Sequence, residues 1–234
     1  MSGVASHFAG SGPFSRLAYQ VVRAIVATVC RLYTRMSIEG RENIPKAGAF
    51  VLSPVHRSYV DTPIACAVTR RRLRYMGKDT LWKHRWSGWT LSALGGFPVS
   101  RGTADREALK RCIAVLESGQ PLVLFPEGER KSGPIVQPLF DGAAYVALRA
   151  GVPIVPVGIG GTERVMPKGA RFVYPRKVHI IIGEPIMPEV QTDSGRVPRS
   201  AIHRTTAELH GRLQGLFDAA QTKIGQLDPS REVG

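Results

Sequence analysis

Acidic residues, cysteines and long hydrophobic runs are all scarce in this 234-residue chain. Its three cysteines, Cys30, Cys66 and Cys112, are odd in number and lack metal-binding spacing. They argue against a disulfide framework or a zinc knuckle and favour a reducing cytosolic setting. No apolar run approaches the ~20 residues that a membrane-spanning helix needs. Arg23 and Arg31 interrupt the one long apolar stretch, near the N-terminus, which also argues against a signal peptide.

The shortage of acid gives a formal net charge of +14, from 32 Lys+Arg against 18 Asp+Glu. This charge favours an anionic partner: nucleic acid, an anionic membrane or a phosphorylated small molecule. It is equally compatible with a plain basic surface, and composition does not rank these alternatives. A hydrophobic content of 43% excludes wholesale disorder, and the length predicts one large domain.

The N-terminal region predicts a helix behind a short polar end at residues 1–12. On a helix over Pro13–Arg35, six polar positions fall within an arc of roughly 140°: Arg16, Gln20, Arg23, Thr28, Arg31 and Arg35. The opposite face is apolar, with tyrosines at its border. This pattern, with no acidic residue before Ile38, predicts an amphipathic helix in a membrane interface. A surface helix packed on the core is the alternative.

Beyond Ile38 the sequence alternates predicted strands with predicted helices. Strands are predicted at 49–53, 122–125, 154–158 and 178–182, and helices at 61–72, 105–118, 142–150 and 200–223. The alternation predicts an α/β fold with a mixed β-sheet flanked by helices. The proline-punctuated run from Gly151 to Val157 is interpreted as a sheet edge or a pocket wall.

A histidine and an aspartate follow the first of these strands, in the segment Pro-Val-His56-Arg-Ser-Tyr-Val-Asp61. In one continuous helix this spacing separates the two side chains by about 140°. They can meet if His56 lies on the turn and Asp61 in the first helical turn. A carboxylate on one imidazole nitrogen fixes the tautomer and leaves the other nitrogen as a general base. The alternative is a turn histidine beside a helix-capping aspartate.

Two further segments place glycine and arginine beside short extended runs. Phe-Pro-Glu-Gly-Glu-Arg at 125–130 follows a predicted strand, and Gly-Gly-Phe-Pro-Val-Ser-Arg occupies 95–101. Glycine lets backbone N–H groups approach an anion, and arginine offers a planar fork to phosphate. Either segment alone is also compatible with a plain turn.

These motifs occur in a fixed order between Ile38 and Pro188: His-x4-Asp, Gly-Phe-Pro-Val-Ser-Arg, Phe-Pro-Glu-Gly-x-Arg and Val-Pro-Ile-Val-Pro-Val. The order resembles the 1-acyl-sn-glycerol-3-phosphate (lysophosphatidate) acyltransferase family. The resemblance implies that His56 is the general base, that Asp61 orients it, and that Val152 to Val157 line the site. It also implies that the glycerol phosphate of the acceptor is held by Arg101, Glu127, Gly128 and Arg130.

The resemblance further implies transfer of a fatty acyl group from acyl-CoA or acyl carrier protein to the sn-2 hydroxyl of 1-acyl-glycerol 3-phosphate. It implies no metal or other cofactor and a position at the cytoplasmic face of the cell membrane, on its anionic surface. Residues 1–37 are then a membrane-associating helix, 38–225 the acyltransferase domain and 226–234 a polar tail. A non-catalytic basic protein that binds lipid or nucleic acid is the alternative, although no nucleic acid is expected.

Two positions depart from the family pattern and leave the acceptor open. Glu129 stands where the family usually has Thr or Ser, and Lys131 replaces a common Ser. Glycerol 3-phosphate or another lysophospholipid is therefore the alternative acceptor.

All three tryptophans, Trp82, Trp86 and Trp89, fall in one short basic stretch with helical spacing. This stretch is compatible with a membrane interface, an acyl-chain entrance or a buried core helix. A second basic set precedes the last predicted strand and is suited to CoA phosphates, a carrier protein, anionic lipid or plain solvent: Arg164, Lys168, Arg171, Arg176 and Lys177.

Overall fold

The computed structural model describes residues 12–78, 82–84, 91–92, 94–99, 106–167, 169–188 and 196–226 of the chain. The strands in these ranges are β1 (Ser37–Glu39), β2 (Val51–Pro54), β3 (Arg74–Lys78), β4 (Gly96–Val99), β5 (Leu122–Val123), β6 (Ile154–Gly160) and β7 (His179–Ile182). The helices are α1 (Pro13–Tyr33), α2 (Asp61–Ala65), α3 (Arg106–Glu117), α4 (Gly142–Ala150), α5 (Thr162–Val165) and α6 (Arg199–Lys223).

Within the described residues the strands form one mixed sheet in the order β1-β7-β6-β2-β5-β3-β4. The five strands β2 to β6 run parallel, whereas β1 and β7 run the other way. The carboxyl ends of β2 to β6 therefore lie along one side, together with the starts of β1 and β7. We call this side the carboxyl edge. The predicted mixed sheet with flanking helices is confirmed.

The core explains why the apolar runs form the central strands. Every residue of β2 and of β6 is buried, as expected for strands covered on both faces. Helix α6 packs directly on β6, where a Cβ on Gly160 would lie 2.6 Å from the Ala220 carbonyl oxygen. Only glycine permits this close approach, because the backbone of the helix cannot yield.

Helix α1 packs on the body through one narrow face. Tyr19 is buried there, and its hydroxyl accepts the Leu73 N–H at 3.1 Å. Arg23 Nε donates to the Thr69 carbonyl at 2.6 Å. The side turned away from the sheet exposes a band of apolar side chains: Phe14, Leu17, Val21, Ile25, Val29, Leu32 and Tyr33. None of the helices in the described ranges has the length and hydropathy needed to cross a bilayer.

Two local predictions are wrong. The helix predicted over 61–72 ends at Ala65, and the chain enters the sheet at Arg74, which pairs with β5. The run from Gly151 to Val157 is not an edge, because β6 lies between β2 and β7. The carbonyl of Pro156 points towards β7 and accepts the Gly183 N–H, just beyond the end of that strand. An N–H at position 156 would point to the same side, so the proline removes no hydrogen bond between β6 and a named strand.

Several predictions fall outside the described residues. They are the polar end up to residue 11, the tryptophans at positions 86 and 89, the arginine at position 101, the lysine at position 168 and the last eight residues of the tail. Of the three tryptophans, Trp82 is described, and its indole N–H donates to Ser92 Oγ at 3.0 Å.

Candidate active site

The turn after β2 brings His56 and Asp61 together at the carboxyl edge. His56 Nδ1 lies 3.0 Å from Asp61 Oδ2. The same oxygen accepts the backbone N–H groups of Arg57 and Ser58, both at 2.7 Å. Asp61 is the first residue of α2 and is fully buried. Because its carboxylate binds the turn that carries the histidine, it fixes the position of the imidazole as well as contacting it.

The imidazole is held on a second side by an aromatic ring. The rings of His56 and Phe125 are stacked, with centroids 4.0 Å apart and an angle of 24° between their planes. The contact with Asp61 occupies Nδ1 and leaves Nε2 as the nitrogen that can take a proton. The His56 side chain is 16% exposed, so the ring is mostly buried but still reaches the cleft described below.

Glu127 lies behind this turn rather than in the cleft. Arg57 Nη1 donates to both of its carboxylate oxygens, at 2.8 and 2.7 Å. The backbone N–H groups of His56 and Gln137 complete its contacts, at 3.0 and 3.1 Å. Glu127 is 0% exposed, so the structure gives it no access to a substrate phosphate and instead makes it an anchor of the His56 turn.

Arg57 also connects the His56 turn to more distant parts of the fold. Its guanidinium donates to the carbonyls of Gly133 and Ile135 at 3.2 and 3.1 Å, and it lies 4.8 Å from the Phe217 ring centroid. The sequence motifs do not by themselves indicate a role for Arg57. Its position inside the His-x4-Asp motif, next to the histidine, is the sequence feature that could have indicated one.

Arg130 and Gly128 do lie at the cleft. The Arg130 guanidinium carbon is 3.3 Å from the ring centroid of Tyr59, which belongs to the His56 turn. Gly128 has a φ of +71°, and a Cβ there would lie 2.6 Å from the Phe140 ring. Glycine is therefore required at this turn for two reasons, its backbone conformation and its contact with Phe140.

These groups border an open cleft of about 510 Å³ at the carboxyl edge. Glu129 also lines it, and its carboxylate accepts a hydrogen bond from Lys131 at 2.7 Å. The stretch Val152 to Val157 does not line it, because residues 154–157 are buried in the sheet. The cleft is lined by His56, Tyr59, Thr62, Tyr75, Met76, Gly77, Trp82, Leu91, Gly96, Gly128, Glu129 and Arg130.

An apolar cavity of about 240 Å³ adjoins the cleft and extends beneath α1. Among the described residues, Thr62, Tyr75, Leu91 and Gly96 line both spaces. Helix α1 contributes Tyr19, Val22, Arg23 and Val26. This cavity could not be predicted from the sequence, because no motif marks a space enclosed by separate elements.

A thiol in this cavity is poorly suited to act as a nucleophile. Burial raises the pKa of Cys66 to about 11, so the thiol stays protonated near neutral pH. Because the thiolate is the reactive form, covalent catalysis through Cys66 is disfavoured. Among the described residues, no cluster of three His, Cys, Asp or Glu side chains is placed to hold a metal ion.

An imidazole–carboxylate pair beside an arginine-bordered cleft and an apolar cavity is suited to moving an acyl group to a hydroxyl. The family model described as Acyltransferase matches residues 35–160, more than half of the chain. The chain belongs to this acyltransferase family. The resemblance to the lysophosphatidate acyltransferases indicated by the ordered motifs is thereby confirmed.

Relatives of known structure or activity agree with this placement. The 1-acyl-sn-glycerol-3-phosphate acyltransferase of Bacillus subtilis is 26% identical over 211 residues, covering 89% of this chain and 100% of its own. A chloroplast enzyme of the same description from Arabidopsis thaliana is 27% identical, covering 74% of this chain and 50% of its own. The structure of the 1-acyl-sn-glycerophosphate acyltransferase of Thermotoga maritima has a TM-score of 0.67 at 28% identity, covering 85% of this chain and 80% of that one.

Proposed function

We propose that this protein transfers a fatty acyl group from a thioester to the sn-2 hydroxyl of 1-acyl-sn-glycerol 3-phosphate, giving phosphatidate. The contact of 3.0 Å between His56 and Asp61 at the cleft carries this proposal. A hydroxyl is a poor nucleophile near neutral pH and requires a base to take its proton. The similar proteins named above support the choice of reaction and acceptor.

The reaction proceeds by direct attack of the acceptor on the donor. His56 Nε2 takes the hydroxyl proton as the oxygen attacks the thioester carbonyl carbon. The carbon–sulfur bond then breaks, and the proton passes from the imidazolium to the leaving thiolate. Asp61 holds the ring and stabilises its charged form throughout. The thioester itself, from acyl-CoA or acyl carrier protein, supplies the acyl group, so the step requires no other cofactor.

The cleft and the cavity divide the acceptor between them in this proposal. Arg130 lines the cleft, where its guanidinium can bind a phosphate. The apolar cavity beneath α1 is suited to an acyl chain, because burying each methylene is favourable by about 0.8 kcal/mol. The arginine at position 101 is assigned to the same phosphate through the family resemblance.

Glu129 leaves the identity of the acceptor open between several phosphorylated glycerol compounds and lysophospholipids. Its carboxylate lines the cleft beside Arg130 and is paired with Lys131. Since this pairing offsets its charge, Arg130 retains its attraction for phosphate. Because Glu129 still places a carboxylate beside the proposed phosphate site, acylation of glycerol 3-phosphate or another lysophospholipid at the same site is a second candidate function.

Thiol release from palmitoyl-CoA, measured with a panel of acceptors, tests the proposal. We expect 1-acylglycerol 3-phosphate to be the best acceptor, with mass spectrometry placing the new ester at sn-2. The variant His56→Ala should lose about 10²–10⁴-fold in kcat with its melting temperature preserved. The exposed surface variant His203→Ala is the matched control and should keep full activity. Lipid binding without turnover in the unmodified protein would contradict the proposal that this protein is an enzyme.

We also infer that α1 lies in the membrane interface. Its outward face exposes seven large apolar side chains, and four arginines precede residue 36 with no acidic residue among them. A helix of this character binds anionic lipid surfaces without crossing them. The double variant Leu17→Ser/Ile25→Ser should lower recovery on floating anionic vesicles, and unchanged recovery would contradict this role.

A further inference from the structure

A second exposed apolar segment lies away from the cleft and takes no part in the proposed reaction. Residues 171–177 form an exposed run immediately before β7. At its centre Phe172 is 72% exposed, Val173 42% and Tyr174 44%. Three consecutive large apolar side chains held in solvent are unfavourable unless something covers them.

The position of this run relates it to the active site. β7 begins at His179, which pairs with Gly160 at the carboxyl end of β6. His56 follows β2, whose last residue Pro54 pairs with Val157 of β6. Both features therefore lie along the carboxyl edge. A surface that covers residues 171–177 would also approach the side of the sheet on which the cleft opens.

The run is continuous with the exposed face of α1. The hydroxyl of Tyr33, the last residue of α1, donates to the Val173 carbonyl at 2.7 Å. The Val178 N–H donates to the Thr34 carbonyl at 3.2 Å, so the end of α1 and the start of β7 are joined. Leu32 is 74% exposed beside this junction. The apolar band of α1 thus extends onto Phe172 to Tyr174.

The charges around the run favour an anionic partner. Arg171, Arg176 and Lys177 flank the three apolar residues and are all exposed. The sequence contains no acidic residue between Glu163 and Glu184. Aromatic side chains at the tip with basic residues on both sides are typical of segments that enter the headgroup region of a bilayer.

We propose that residues 171–177 are a second membrane-docking element, which inserts Phe172 and Tyr174 into an anionic bilayer beside α1. With α1 it gives the protein two contacts, which fix its orientation and turn the carboxyl edge towards the lipid. This inference rests on the proposed lipid-modifying function, because that reaction takes its acceptor from the bilayer. It adds which part of the chain, besides α1, contacts the lipid.

Vesicle flotation with the full-length protein tests this docking. The probe is vesicles of phosphatidylcholine containing phosphatidylglycerol, compared with phosphatidylcholine alone. The variant Phe172→Ser/Tyr174→Ser removes the apolar tip, and Phe172→Leu retains an apolar side chain. Met187→Ser is the matched control, because Met187 is 65% exposed but follows the Ile186 bridge to the first residue of β6, at the opposite edge of the sheet.

We expect the double variant to lose about 10- to 100-fold in partitioning, the effect of leaving about one buried aromatic side chain in water. Phe172→Leu and Met187→Ser should bind like the unmodified protein. Each of Arg171→Gln and Arg176→Gln should reduce binding to anionic vesicles about fivefold and leave binding to neutral vesicles unchanged. Equal binding by the double variant and the unmodified protein would overturn the proposal.

Two further readouts separate this proposal from the proposed reaction. The double variant should turn over a short-chain, monomeric lysophosphatidate normally and lose activity only on vesicle-bound acceptor. Absence of turnover with either acceptor in the unmodified protein would contradict the reaction and leave the flotation result intact. A dimer seen by sedimentation velocity that dissociates in the double variant would show that a second copy covers the segment, and would overturn docking to a bilayer.

Discussion

Replacing Glu127 by glutamine distinguishes two possible roles of this residue, anchoring the His56 turn and binding the phosphate of the substrate. In the structure its two carboxylate oxygens accept hydrogen bonds from Arg57 Nη1, the His56 N–H and the Gln137 N–H. Glu127→Gln removes the negative charge while the Arg57 guanidinium stays buried. It also puts an amide N–H₂ group where one of these donors now finds an oxygen.

The magnitude follows from the burial of both partners. The side chains of Arg57 and Glu127 are 1% and 0% exposed, so water cannot compensate for the lost charge. Breaking a buried pair from one side costs about 3–5 kcal/mol of folding free energy. For a chain of this size each kcal/mol shifts the melting temperature by about 2–4 °C. The expected fall is therefore about 6–20 °C, together with a lower kcat because the His56 turn loses its anchor.

Calorimetric melting and steady-state kinetics test this expectation. Glu208→Gln, which does not line the cleft, is the matched control: its side chain is 41% exposed, and its ion pair with Arg212 contributes about 0–1 kcal/mol. The double variant Arg57→Met/Glu127→Leu should recover only part of the lost stability, because it leaves no unpaired charge in the core but deprives the His56 and Gln137 N–H groups of their acceptor. An unchanged melting temperature with only a raised KM for the acceptor would refute the argument and return Glu127 to the phosphate site.

Two other perturbations probe the site and the fold. Asp61→Asn preserves the shape of the side chain but removes the charge that stabilises the imidazolium, so kcat should fall about 10²–10⁴-fold. The control Asp141→Asn, in a surface His–Asp pair with His203, should leave kcat unchanged. Equal activity of the two variants would show that the charge of Asp61 is dispensable. Burial lowers the pKa of His179 below 6.5 despite the opposing effect of Glu39, while Lys223 and Lys177 lower it further. In the window just below pH 6.5 the unfolded chain therefore binds more protons than the folded protein, so stability falls as the pH falls. His179→Asn should flatten this dependence in melts taken between pH 5 and 7.5, and an unchanged slope would exclude His179 as its source.

Much of the fold could be predicted from local patterns. The helices at 106–117, 142–150 and 199–223 have clear periodicity or capping residues, and the strands at 51–54 and 154–160 are short apolar runs. β1 and β3 were missed because three to five residues of mixed character carry little local signal. β3 exists because its backbone pairs with β4 and β5, which is a tertiary condition.

The candidate site was predicted unevenly for a similar reason. His56 and Asp61 are five residues apart on one turn, so their spacing constrains their distance directly. Glu127 stands 71 positions beyond His56, and nothing in its own segment shows whether it faces solvent or the interior. The motif places it near the site, but only the fold shows that Arg57 occupies its oxygens.

The sequence by itself determined the alternation of elements, the order of the motifs and the short separation of His56 and Asp61, because each is a property of the linear chain. The tertiary structure decided which carboxylate is buried, how α1 and the sheet enclose an apolar cavity, and that Phe172 to Tyr174 continue the exposed face of α1. These depend on contacts between distant segments, and such contacts exist only once the hydrophobic core has brought the strands into one sheet.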